Sequence, residues 1–425
     1  MRSEDRLIIE LCKSDRREDV IFTLLRQENI DWTHFLTLIT DHEIAPLVLS
    51  RLMEYSLSID ISTRLKSAAK KEIIGVTVTR STILREMHKV QAVLQQQGIE
   101  CILLKGLALD FTGLRTIKDL DILIREDRFI EAIRSLCDIN YEFVGQYRTS
   151  LLKRKEARMF LEALRDPTID REERLKVIAA LRWNNHYETA NSETNLLVEI
   201  HTNLFHRRRV YIENIDRLLD NIDCFWREKQ YDSALNCYTL SNEHALLLMA
   251  VHMSIKRSPS NNNFLLKLAC DIDGLIGRGI NWEHFSDTVC WLRVEPFVYY
   301  ALLQTHSLLS TPVSETCLQR LKQGCTGAQL FLIRIHLKCL RSLDSYRMFY
   351  SKFYMLLKPF VFESRPEHRL KWFFMIPILF PSRSKMAAFF KIREDSPLVY
   401  CTYILNPLRL IILIIRSIIR LRNDR

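Results

Sequence analysis

The sequence predicts an α/β (α+β) chain: a small mixed sheet flanked by N- and C-terminal helical segments. Three observations predict it. Ile99–Leu104, Asp119–Ile124 and Leu196–His201 are aliphatic runs of strand length, separated by turn and helix patterns. Apolar residues recur at helical spacing before residue 99 and again beyond about residue 210. Glycine and proline are scarce, 10 and 11 in 425 residues, which disfavours an all-β architecture with its many tight turns. The expected organisation is a helical segment over 1–98, the sheet-bearing core over 99–240 with a charged helical insertion at 149–182, a helical domain over 241–315, and a basic C-terminal extension over 316–425.

The elements follow in order. Asp31 is placed to cap a helix carrying Trp32, Phe35, Leu36 and Ile39. A second helix opens at Ala45-Pro46, where proline is tolerated because a first-turn N–H has no partner anyway. A long amphipathic helix runs from about Ser62 to Gln97 and stops at Gly98. The strand Ile99–Leu104 then leads through the Lys105-Gly106 turn into a short helix, Leu107–Phe111, which Gly113 ends. The Asp119–Ile124 strand, a helix over Glu126–Cys137 and a strand over Tyr141–Val144 follow. Tyr187–Glu193 begins a hairpin turning at Asn191-Ser192, and Leu196–His201 closes the set. Beyond it, Glu243–Lys256 is helical, with capping residues at Ser241 and Asn242. Ile280-Asn281-Trp282 with Phe285 and Pro296 repeats the spacing of Ile30-Asp31-Trp32 with Phe35 and Pro46. Two copies do not make a solenoid.

Net charge is +10 with a pI near 9.0, which favours polyanionic neighbours such as nucleotides, nucleic acid or an anionic membrane. The eleven cysteines form no Cys-x-x-Cys pair and no zinc-spaced cluster, as expected of reduced thiols in a cytoplasmic chain. The first ten residues carry no signal-peptide pattern, and the apolar run Leu410–Ile415 is too short to span a bilayer. Leu408–Leu421 is amphipathic, with Arg409, Arg416 and Arg420 among apolar groups; it would either lie on a membrane surface or dock on a protein, the second reading being favoured.

The chemistry concentrates in Lys118-Asp119-Leu120-Asp121-Ile122-Leu123-Ile124. Side chains alternate along a strand, so Asp119 and Asp121 share one face and Leu120, Ile122 and Ile124 the other. Two like charges on a half-buried face are costly unless neutralised. A hard divalent cation does that, and Mg²⁺ characteristically binds through one or two carboxylates plus substrate phosphates. The bland alternative is an exposed edge strand with two solvated aspartates. Further along, Glu199 and His201 share a face of the later strand. Three carboxylates on neighbouring strands suit nucleotidyl transfer, in which about two metal ions neutralise the polyphosphate and the protein aligns the attacking hydroxyl. Asp119 and Asp121 would bridge the ions, with Glu199 as third ligand or general base. Lys105 and Gly106 would approach phosphate at a helix start. Arg115 would neutralise the triphosphate or steady the carboxylates, or else form a structural ion pair with Asp119. His201 would orient Glu199 or contact substrate, or else be a satisfied core histidine. His186 would lie near the same sheet, and His252 with Lys256 forms an i,i+4 pair on the cleft or on the surface.

Leu104-Lys105-Gly106-Leu107-Ala108, Arg115 four residues before Asp119-Leu120-Asp121-Ile122-Leu123-Ile124, and Val198-Glu199-Ile200-His201 together resemble the uncharacterised nucleotidyltransferase family of the polymerase-β-type superfamily. Asp31-Trp32, Pro46-Leu47, His252, Asp271 or Asp273 and Ile280-Asn281-Trp282 resemble its flanking helices, so the likeness covers about residues 20–310. The resemblance implies a nucleotidyltransferase core. It implies Asp119, Asp121 and Glu199 as metal ligands for Mg²⁺, and a nucleotide-binding turn at Lys105 and Gly106. A nucleoside triphosphate such as ATP would be the donor, and a hydroxyl of a small metabolite, a sugar or a tRNA end the acceptor. The chain departs from the pattern at Leu107, where the wider superfamily has serine or glycine, and at Thr202, where the family often has tryptophan. Two other classes compete: a glycosyltransferase whose Asp-x-Asp holds a nucleotide-sugar through a metal, and a catalytically silent binding protein of the same fold. The Lys-Gly turn and the Glu199 strand count against the glycosyltransferase.

Overall fold

The computed structural model describes residues 2–27, 30–55, 63–143, 186–191, 194, 196–205, 220–255, 265–339, 383–390, 392–393 and 395–406. The expected insertion at 149–182, Lys256 and the amphipathic segment Leu408–Leu421 lie outside them. The chain divides into two compact units, Met1–Lys256 with Asn263–Gly324, and Arg257–Asn262 with Cys325–Arg425. Among the described residues no helix is long and apolar enough to cross a membrane.

The first unit is mixed α/β, as its strand and helix periods predict. Its sheet has seven strands in the order β3-β4-β5-β2-β1-β7-β6. They are β1 (Cys101–Leu103), β2 (Asp119–Ile124), β3 (Tyr141–Phe143), β4 (His186–Asn191), β5 (Leu197–His201), β6 (Gln230–Asp232) and β7 (Cys237–Thr239). Two neighbour pairs, β2 with β5 and β1 with β7, run parallel, and the rest are antiparallel. The β6–β7 hairpin was not legible in the sequence. Its strands, Gln-Tyr-Asp and Cys-Tyr-Thr, carry no aliphatic run of the kind that marks β1, and the turn rests on Asp232 accepting from the Ala234 and Leu235 N–H groups and on Asn236 at φ 54.

The core lies on one face of this sheet. Leu120, Ile122 and Ile124 of β2 and Val198 and Ile200 of β5 point into it. Against them pack Ile83, Met87, Val90 and Leu94 of the 34-residue helix α5 (Thr63–Gln96) and Phe129, Ile130 and Ile133 of α6 (Phe129–Cys137). Each such side chain contributes about 1.5–3 kcal/mol on burial. Alternation then forces the intervening residues of β2 and β5 to the opposite face. The helix before β1 ends at Gly98, φ 63, as its position required.

The loop between β1 and β2 departs from expectation. Residues Gly106–Leu109 form one 3₁₀ turn rather than a short α-helix reaching Phe111. Asp110 ends it, because its carboxylate accepts from the Arg115 backbone N–H at 3.0 Å and from Arg80 Nε on α5 at 2.8 Å. Gly106 needs its glycine. Its φ is +64, and an added Cβ would lie 3.3 Å from the Asp119 carbonyl oxygen.

The remaining helices of this unit include α1 (Ser3–Cys12), α2 (Glu18–Gln27), α3 (Trp32–Asp41) and α4 (Ala45–Met53) before the sheet. After it come α7 (Ile222–Arg227), α8 (Asn242–Ile255), α9 (Leu265–Gly277), α10 (Trp282–Leu292), α11 (Glu295–Leu309) and α12 (Glu315–Gln323). The echo seen in sequence is a repeat in space. Asp31 and Asn281 cap α3 and α10 with the same backbone angles, φ −74 and ψ 92. Trp32–Phe35 and Trp282–Phe285 both meet edge to face, at 5.3 and 5.9 Å. Glu43 and Arg293 both take the left-handed conformation just before the next helix. The repeat is also wider than the sequence showed. The N–H of Asp31 donates to Glu4 of α1 at 2.7 Å, and that of Asn281 to Glu243 of α8 at 2.9 Å. Thus α1, α3 and α4 on one side and α8, α10 and α11 on the other are two versions of one helical arrangement.

In the second unit the described helical residues are those of α13 (Gly327–Cys339) and α14 (Arg383–Phe390), and residues 398–406. Met386, Ala387 and Val399 form a small core there.

Candidate active site

The face of the sheet opposite the core carries the charged residues. Parallel pairing of β2 with β5 sets Asp121 directly across from Glu199 and Leu123 across from His201. Asp119 lies two residues before Asp121 on the same face. The loop after β1 returns Lys105 over this face, since the Leu104 N–H donates to the Asp121 carbonyl at 3.0 Å and so holds the turn beside β2. Lys105, Gly106, Arg115, Asp119, Asp121, Glu199 and His201, all predicted for the site, line one cavity of ≈ 290 Å³. His252 of α8 lines it as well. A larger cavity of ≈ 440 Å³, beside Tyr231, Asn242 and Arg278, holds none of these carboxylates. The backbone of His186 pairs with that of His201 on the neighbouring strand.

Asp121 is the hub. Its Oδ1 lies 2.7 Å from Lys105 Nζ and 2.9 Å from His201 Nε2. His201 Nε2 is also 3.5 Å from Glu199 Oε2. Burial alone would raise the Asp121 pKa, but Lys105 and the His201 hydrogen bond outweigh it and hold the carboxyl below its ordinary value. Burial would likewise lower the pKa of His201, and the hydrogen bonds to Asp121 and Glu199 reverse it, so the imidazole is raised. Asp119 behaves oppositely to Asp121. Burial, then the charges of Asp121 and Glu199, push its pKa up. Two carboxylates one strand period apart therefore sit in different electrostatic settings, as sites of acid–base or metal chemistry commonly show.

Among the described residues one group of metal-ligating side chains converges. Ligand atoms of Asp121, Glu199 and His201 all lie within 4.8 Å of one another. This set differs from the carboxylate trio expected from sequence: His201 joins it and Asp119 is outside it. The reason is register. His201 is two residues beyond Glu199, on the same side of β5, and its ring folds back onto Asp121.

Arg115 also lies elsewhere than its alternative reading placed it. The guanidinium forks onto Asp271 of α9, with bonds of 2.8 and 3.0 Å, rather than onto Asp119. Burial opposes its charge, but Asp271 outweighs this and raises its pKa. The neighbouring Asp273 accepts from Ser14 and Thr311 and belongs to the helix packing. Residue Gly274 seats the loop at a second point. A Cβ there would come within 2.5 Å of the Phe111 ring, so only glycine lets α9 approach it. The Arg278 guanidinium lies 4.7 Å from the centre of the same ring.

Three further residues of the cavity carried no signal in the sequence. Glu43, from the loop between α3 and α4, accepts from Lys118 and, at 2.8 Å, from Lys267 of α9. Lys118 stands beside Asp119 in the most informative stretch of the chain, yet neither periodicity nor spacing says what an exposed lysine meets.

A strand with carboxylates at alternate positions, a parallel neighbour bearing a third, and a lysine-glycine turn returning over both define a core of the nucleotidyltransferase type. The model of the family described as "Uncharacterised nucleotidyltransferase" matches residues 28–310, and the chain belongs to that family. No curated protein and no solved structure matches the chain.

Proposed function

We propose that this protein moves a nucleoside monophosphate from a nucleoside triphosphate, ATP among the candidates, to a hydroxyl of an acceptor and releases pyrophosphate. One observation carries the reading: the register that sets Asp121 beside Glu199, with Asp119 on the same face, inside a cavity roofed by the Lys105-Gly106 turn. In the reaction a bond forms between the acceptor oxygen and the α-phosphorus, and the bond from that phosphorus to the bridging oxygen of pyrophosphate breaks. The acceptor's proton passes to a carboxylate at the site, Glu199 in this reading.

The residues fit a divalent cation. Asp121 and Glu199 offer two oxygens, and His201, once its ring gives up the proton it shares with Asp121, a nitrogen, all within 4.8 Å. Asp119 adds a carboxylate whose pKa is raised by burial and then by the charges of Asp121 and Glu199, a setting that a cation would relieve. Mg²⁺ there would neutralise the polyphosphate and polarise the α-phosphorus. The chain's own groups do the rest. Lys105 holds Asp121 ionised and in place, Gly106 keeps the turn against β2, and Arg115, anchored by Asp271, adds positive charge to the cavity wall.

The acceptor is read as a small hydroxylated metabolite or sugar. The net charge of +10 favours a tRNA hydroxyl as the second reading. The ten cysteines with described side chains are free, which supports a reducing, cytoplasmic setting. The test is calorimetric titration of ATP, GTP, CTP and UTP with Mg²⁺ into the wild type and the Asp119→Ala/Asp121→Ala variant. Metal-dependent binding of one nucleotide that the variant loses supports the reading. Equal binding by both, or no binding, sinks it.

A further inference from the structure

The same cavity is also lined by three cations: Arg115 and Lys118 of the β1–β2 loop and Lys267 of α9. Arg115 is tied to Asp271 by two bonds. Lys118 and Lys267 share one carboxylate, that of Glu43. Lys267 is largely buried, 13% exposed, and burial, followed by the charge of Arg115, lowers its pKa despite Glu43. Arg115 is answered by Asp271, whereas the two lysines converge on the one carboxylate of Glu43.

The identity of residue 43 is not a requirement of the turn. Arg293 occupies the equivalent place in the second copy of the helical repeat with nearly the same φ, 56 against 52. The backbone there accepts either sign of side chain. A glutamate at 43 is therefore explained by what it meets, two lysines lining the cavity, and not by the fold. Lys118 immediately precedes Asp119, so this anion-binding corner adjoins the strand that would hold the reacting phosphate.

We propose that Lys118 and Lys267 form the subsite for the pyrophosphate end of a nucleoside triphosphate, and that the Glu43 carboxylate fills it in the empty protein until the triphosphate displaces it. The proposal rests on the nucleotidyltransferase reading and adds three residues to it. Ammonium groups suit the task because each presents three donors to tetrahedral phosphate oxygens with no fixed plane. Pyrophosphate brings several negative charges where Glu43 brings one, so exchange of one for the other strengthens the neutralisation of the lysine pair.

The test uses inorganic pyrophosphate, titrated calorimetrically into the full-length protein with chelator present. The wild type is compared with Glu43→Gln, Lys118→Met, Lys267→Met and Lys267→Arg. Glu43→Gln, which removes the competing charge, is expected to tighten pyrophosphate binding about tenfold, and each methionine variant to weaken it about tenfold. Lys267→Arg keeps the charge and should retain most of the binding. Circular dichroism checks folding; if Lys267→Met does not fold, Glu43→Gln and the exposed Lys118→Met decide. Unchanged or weaker binding by folded Glu43→Gln overturns the proposal, as does wild-type binding by Lys118→Met. The two readings fail separately. Lysine-dependent pyrophosphate binding without any nucleotide binding keeps the anion subsite and removes the nucleotidyltransferase reading. Nucleotide binding that depends on Asp119 and Asp121, with pyrophosphate indifferent to residues 43, 118 and 267, does the reverse.

Discussion

Arg115 and Asp271, 156 residues apart in the chain, meet through two parallel hydrogen bonds of 2.8 and 3.0 Å. This fork ties the loop between β1 and β2 to helix α9, and with it the approach to the Asp119–Asp121 strand. Both side chains are largely withdrawn from solvent, 13% and 5% exposed. Removing one partner leaves a buried charge unopposed. Asp271→Ala is expected to cost about 3–5 kcal/mol in urea denaturation. Asp271→Asn, which keeps one acceptor, should cost less. A loss below about 1 kcal/mol for the alanine variant would show that the fork adds little to stability.

Gly274 seats the same loop by contact rather than charge. A methyl group there would sit 2.5 Å from the Phe111 ring. Gly274→Ala is expected to destabilise by about 1–3 kcal/mol through overpacking. Phe111→Leu in the same chain should recover part of the loss, because the clash is with the ring edge. Melting curves of the two single variants and the double variant measure the coupling.

The carboxylates predict a stability gain. Burial and the charges of Asp121 and Glu199 raise the pKa of Asp119 in the folded chain. A raised folded pKa means that the folded state holds its proton more tightly than the unfolded one. The group thus supports folding below its unfolded pKa and opposes it once ionised, above its folded pKa. At pH 7 Asp119→Asn should raise the melting temperature of the metal-free protein by about 2 °C, the scale of one favourable substitution. The gain should shrink at pH 4. A lower melting temperature at pH 7 would show that Asp119 is satisfied where it stands.

His201 gives the opposite pH signature. Although burial opposes it, hydrogen bonds to Asp121 and Glu199 raise its folded pKa. Its contribution to stability is then full below the unfolded pKa, near 6.5, and is lost as pH rises through the higher folded value. NMR titration should find the His201 ring still protonated above the ordinary imidazole value, near 6.5. His201→Gln should flatten the fall in stability over that alkaline window. A ring titrating at or below 6.5 contradicts the expectation.

The repeated caps offer an additive test. Asp31 accepts from the N–H groups of Thr33 and His34, and Asn281 from that of His284. Alanine at either position is expected to cost about 1 kcal/mol. The caps belong to separate helical copies, so the double variant should lose the sum within about 0.5 kcal/mol. A shortfall beyond that would reveal coupling between the copies.

Local chemistry was legible in the sequence and distant pairing was not. Asp31, Gly98, the 3.6-residue stripe of α5 and the alternation of Asp119, Leu120, Asp121 and Ile122 each act within a few residues, so spacing alone states their face and their role in the fold. That is why the strands bearing the candidate site were found, and why Asp121 and Glu199 were expected on neighbouring strands. Strands β6 and β7 carry no aliphatic run such as the one that marks β1, so nothing local announced them.

Thus the sequence by itself determined which side of β2 and β5 carries charge and where the helices begin, because those outcomes follow from side-chain geometry along one element. The tertiary structure alone decided that Arg115 faces Asp271, that His201 rather than Asp119 completes the tight ligand group with Asp121 and Glu199, and that Glu43 meets Lys118 and Lys267. Charged side chains choose partners by distance and desolvation. Those are set only when elements as far apart in the chain as residues 43 and 267 are packed around one cavity.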